Sequence, residues 1–71
     1  MPADKLTAIE TAILRWVVRR TDAGDAVRGG YGERLNLMRS LERRGFLALV
    51  PGPKDRWRAT DAGREEVRDA R

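Results

Sequence analysis

Asn36, Arg39, Ser40 and Arg43 recur at helical spacing, while Leu37, Met38 and Leu41 fall on the opposite arc. Arginine grips guanine through two parallel hydrogen bonds, and asparagine can do the same for adenine. Ser40 is short enough to let a helix backbone approach a base edge. Such side chains on one face of a helix suit reading of DNA in the major groove. A solvated arc, with late arginines favoured by the helix dipole, has the same composition. A second basic group follows at Lys54, Arg56 and Arg58, with Trp57 between the two arginines. On a hairpin these three suit phosphate contact, or equally protect an edge against strand pairing.

Other chemistry finds few residues to work with. The chain has no histidine and no cysteine, and Ser40 is its sole serine. A Ser–His or Cys–His pair is therefore excluded, as is any disulfide or thiolate site. The carboxylates sit at helix caps or on charged faces, so no enzyme activity is expected. Glu65, Glu66 and Asp69 lie within one turn, but Arg64 and Arg68 are interleaved, which fits a solvated face with i,i+4 pairs. No metal and no cofactor is expected. Gly29-Gly30-Tyr31-Gly32 precedes a helix start, where backbone amides can receive phosphate. No Gly-Lys-Ser/Thr follows, and no clear strand precedes. The simpler reading is a glycine-rich turn that holds Tyr31 near the core. Trp16 and Trp57 read as core residues rather than base-stacking platforms.

These groups must be positioned by few elements, because 71 residues make one domain with a thin core. Thr7-Ala8-Ile9-Glu10 is a capping box, and Leu6, Ile9, Ile13, Trp16 and Val17 continue at helical spacing. A helix over 8–21 is expected. Residues 24–31, with glycines at 24, 29 and 30, predict a turn or one short helical turn. A helix over 33–44 follows, stopped by Gly45 with Phe46 folded back. Residues 46–59 predict a hairpin. Its first strand is apolar on both faces and so at least partly covered, its turn is Pro51-Gly52-Pro53-Lys54-Asp55, and Trp57 points inward on the return. Thr60 caps a last helix over 61–69, whose few apolar residues, Ala62 and Val67, predict loose docking.

The net charge is +4, from 15 basic and 11 acidic side chains. Residues 1–58 carry a net +5 and residues 59–71 a net −1. One side rich in positive charge fits a phosphate-bearing partner. Thirteen of the basic residues are arginine, a bias that codon composition produces equally well. The opening Met1-Pro2-Ala3-Asp4-Lys5 is not a basic stretch leading into an apolar run, so no signal peptide is expected. The longest apolar run, Phe46 to Pro51, is far too short for a bilayer. No membrane association and a cytoplasmic location are expected.

The run Leu41-Glu42-Arg43-Arg44-Gly45-Phe46, followed by a hairpin and Thr60-Asp61-Ala62-Gly63-Arg64, resembles the second half of a winged helix-turn-helix domain. It is similar to small regulators of the MarR and PadR kind, with a degenerate second helix. The resemblance implies an α+β winged helix fold, with a three-helix core and a C-terminal β-hairpin wing. It implies double-stranded DNA as partner and transcription regulation as function, with helix 33–44 in the major groove and wing 51–58 on the backbone. Asn36, Arg39, Ser40, Arg43, Lys54, Arg56 and Arg58 are then the nucleic-acid contacts. One such domain covers a modest surface, so a homodimer on a two-fold site is expected. Winged helices also serve as protein-binding modules. The alternative is therefore an adaptor, an assembly subunit or a small phage-type inhibitor such as an anti-CRISPR protein.

Overall fold

Three helices and three strands follow in the order α1 (Ala8–Asp22), β1 (Val27–Arg28), α2 (Gly32–Arg43), β2 (Leu47–Val50), β3 (Arg56–Ala59) and α3 (Asp61–Arg68). The structure, a computed structural model, describes residues 5–68. The expected helical end at Asp69 and the residues before Lys5 lie outside that range.

Helix α1 starts where its capping box places it. The Glu10 amide donates to Thr7 Oγ1 at 3.1 Å, and the Thr7 amide donates to Glu10 Oε1 at 2.9 Å. Both amides lack intrahelical partners, so the reciprocal pair satisfies them. The helix ends one residue later than expected. Gly24 donates to the Thr21 carbonyl and Asp25 to the Arg20 carbonyl, each at 2.9 Å.

Residues 24–31 correct the expected turn or short helix. Val27 and Arg28 form β1, pairing antiparallel with Trp57 and Arg56 of β3. Glycines on either side leave too few residues for a stable helical turn. The β3 ladder instead supplies partners for the backbone groups, and Val27 gains burial against the core. Tyr31 corrects a second expectation. It is 92% exposed rather than near the core.

Met38 and Leu41 are fully buried and set the phase of α2. The helix closes as Gly45, at φ +87°, donates to the Glu42 carbonyl and Phe46 donates to that of Leu41. This left-handed stop satisfies the last carbonyls and turns Phe46 back onto the core. Strands β2 and β3 then pair from Leu47↔Ala59 to Val50↔Arg56. The sheet order is β1-β3-β2, so β3 is central. Trp57 and Ala59 face the core, and Arg56 and Arg58 face out, the period of a strand. Cover on β2 is narrower than its composition predicts. Leu47 is buried and Val50 half-buried, but Ala48 is exposed and Leu49 is 43% exposed.

The core gathers Leu14, Val17, Val27, Met38, Leu41, Leu47, Trp57 and Ala59. One buried polar group crosses it. Thr21 Oγ1 accepts from the Ala59 amide at 2.9 Å, taking up a donor beyond the short β1 pairing. Helix α3 docks closely, against the expectation of a loose contact. Thr60 Oγ1 accepts from the Gly63 amide at 3.0 Å and donates to the Gly45 carbonyl at 2.6 Å. The Thr60 amide donates to the Phe46 carbonyl at 3.0 Å. Gly63 is buried, and a Cβ there would stand 2.2 Å from the Phe46 carbonyl oxygen. Backbone meets backbone at this corner, so α3 needs few large apolar side chains.

Gly63→Ala is expected to destabilise the domain by about 1–3 kcal/mol, because a backbone atom cannot yield as a side chain does. Gly52→Ala, whose Cβ would meet nothing nearer than 3.8 Å, is the neutral control. Leu41→Ala should cost about 2–5 kcal/mol as a core truncation. Thermal or urea denaturation measures all three, and a neutral Gly63→Ala would contradict the close corner.

Candidate nucleic-acid interface

With Met38 and Leu41 turned inward, Asn36, Arg39 and Arg43 stand exposed on the outer arc of α2. Ser40 is half-buried at the edge of that arc. Arg56 and Arg58 stand exposed on the outer face of the sheet, because Trp57 between them is buried. Lys54 is exposed in the turn that joins β2 to β3.

The structure adds a residue that sequence reasoning missed. Arg28 is exposed and directly opposite Arg56 in the antiparallel pairing. It therefore extends the basic row on the outer sheet face. The signal was present in the alternation of Val27 and Arg28, but a two-residue strand is too short to read from period alone.

Arg28 also borders three clefts, two of which it shares with candidate contact residues. One, of about 320 Å³, is shared with Lys54, Arg56 and the prolines of the turn. The other, of about 500 Å³, lies between α2 and the hairpin, with Arg39, Tyr31 and Asp55 on its walls and Trp57 and Leu35 at its base. Arg39 is thus brought together with Arg28, and Arg28 with Lys54 and Arg56. Asn36, Ser40, Arg43 and Arg58 line neither cleft.

Ion pairing divides the basic residues. Arg20 pairs with Asp25 and Arg64 with Asp22, each at 2.6 Å. Arg44 lies 3.7 Å from Glu10, and Arg68 lies 3.5 Å from Glu65, at i,i+3 spacing. By contrast, Arg28, Arg39, Arg43, Lys54, Arg56 and Arg58 enter no ion pair among the described residues. Lys5 and Arg19 share that state away from the sheet. Arg34, also exposed, is held by contacts within its own fold. Its Nε donates to the Gly29 carbonyl at 3.1 Å, and its guanidinium lies 5.3 Å from the centre of the Trp16 ring.

Both tryptophans support this surface from behind. Trp57 donates from Nε1 to Glu42 Oε1 at 3.1 Å, which satisfies the indole inside the core. Trp16 is half-buried and packs on the core from α1 while carrying Arg34. The glycine-rich turn holds Gly29 against Trp57 and leaves Tyr31 outside. Among the described residues no group of acidic side chains is arranged to hold a metal ion, and no helix is long and apolar enough to cross a membrane.

Compared with known proteins, the chain matches no family model, no characterised protein and no solved structure.

Proposed function

We propose that the protein binds double-stranded DNA as a winged helix–like module and acts as a transcriptional regulator. Helix α2 enters the major groove, and the turn and strand over 51–58 lie on the backbone. The observation that carries this reading is the set of six exposed cations on α2 and the hairpin side that enter no ion pair among the described residues. An arginine with no internal partner keeps its full capacity for phosphate or guanine. Helix α2, like any α-helix about 10–12 Å across with its side chains, fits a groove about 12 Å wide, and its 12 residues give it about 18 Å to lie along it. The order of helix, strand, helix, hairpin and helix supports the winged helix reading. In this assignment Arg39 and Arg43 take guanine or phosphate, Asn36 reads adenine, Ser40 permits close approach, and Lys54, Arg56 and Arg58 hold backbone. Specific recognition calls for two copies on a two-fold site.

One observation favours a second reading. A strand, not a helix, lies between α1 and α2, so the helix that normally crosses the DNA backbone in a helix-turn-helix has no counterpart. A module of this shape can dock on an acidic protein surface through the same cations. In neither reading does the chain act as an enzyme.

Arg39→Ala and Arg43→Ala are expected to weaken duplex binding with no fall in melting temperature. Lys54→Ala should lower the salt slope of binding by about one unit. Fluorescence anisotropy with a labelled duplex across a salt series measures these effects. Unchanged affinity in all three variants would remove this surface from DNA binding.

A further inference from the structure

We propose that Arg28 and Tyr31 belong to the DNA-contacting surface, carrying one phosphodiester strand from the hairpin across the sheet to Arg39. This inference rests on the DNA reading above and extends it to two residues outside the helix and the wing. Its first support is the direct opposition of Arg28 and Arg56 across the β1–β3 pairing. Like charges placed opposite each other on adjacent strands destabilise a sheet. Here neither arginine forms an ion pair with an acid among the described residues, and Lys54 adds a third cation to the same cleft. A phosphate at this row offsets the repulsion and gains two charge-assisted contacts.

The second support is the continuity of the clefts. Arg28 walls both the hairpin cleft and the cleft beside α2, where Arg39 stands. A strand following the cations from Lys54 through Arg56 and Arg28 therefore arrives at the helix proposed to read bases. Asp55 is the one acid lining the second cleft, against the cations Arg28, Arg34 and Arg39, so the cleft keeps a positive balance.

Tyr31 is the third support. It lies on the rim of the α2 cleft and is 92% exposed, between two glycines at φ +74° and +65°. Those glycines hold the ring out into solvent, where it buries nothing of its own fold. A rigid ring beside unpaired arginines gives a flat surface for a sugar or base, at little cost in side-chain freedom.

The test compares Arg28→Ala, Tyr31→Ala, Tyr31→Phe and Arg19→Ala with the unaltered chain, on a random-sequence duplex. Arg19→Ala removes the same charge from an exposed position of α1 outside the proposed path. Arg28→Ala should weaken binding about tenfold and lower the salt slope by about one. Its melting temperature should hold or rise, since the repulsion with Arg56 is gone. Tyr31→Ala should weaken binding about fivefold with the slope unchanged, and Tyr31→Phe should keep full affinity. Duplex binding that persists with Arg28→Ala no weaker than Arg19→Ala, or with Tyr31→Ala unaffected, overturns this inference and leaves the DNA reading standing. Absence of duplex binding by the unaltered chain overturns both. Equal binding of polyglutamate, with the same loss in Arg28→Ala, overturns the assignment to a phosphodiester strand.

Discussion

Burial of Trp57 in the central strand is the constraint on which the rest of the molecule depends. The ring is 2% exposed, and its Nε1 is satisfied by Glu42 of α2. Val27 of β1 and Leu49 of β2 are its partners across the sheet. Because side chains alternate along a strand, an inward Trp57 forces Arg56 and Arg58 outward. A one-residue slip would bury two arginines and expose the indole, so the register is strongly specified. The same register sets Arg28 opposite Arg56. The basic outer face thus follows from one buried aromatic residue.

Most of the element plan could be read from local chemistry. The capping box at Thr7, the glycine stop at Gly45 and the Thr60 cap each act within a few residues, so their signals survive without the fold. The phase of α2 was legible because Met38 and Leu41 leave one way to bury it. What stayed hidden depends on distant partners. The β1 strand exists because β3 is there to pair with, and two residues carry no period. The docking of α3 through Gly63 is a contact between backbones, which apolar composition does not register. Tyr31 reads as a core residue by type, and only the turn geometry of its flanking glycines sets it outside. The candidate surface was legible in α2 and the hairpin for the same local reasons, whereas Arg28 and the link it makes between the hairpin cleft and the α2 cleft were not.

Charge is distributed by function of place. On α1 and α3, arginines answer acids of the same fold, as in Arg20–Asp25 and Arg64–Asp22. Such exposed pairs add little stability individually, yet they neutralise those two arginines locally. On α2 and the outer sheet face the arginines have no such partners among the described residues. A small domain gains solubility from net charge, but cations that enter no ion pair among the described residues, two of them directly opposed, work against its own stability. The proposed polyanionic partner would give that arrangement a use.

The most direct measurement of this account is binding of the unaltered chain to random-sequence duplex DNA across a salt series. Six available cations should give micromolar or tighter binding at low salt, with log K falling against log salt at a slope of about −3 or steeper. Absence of binding at low salt, or a slope near zero, would contradict the account and direct attention to a protein partner.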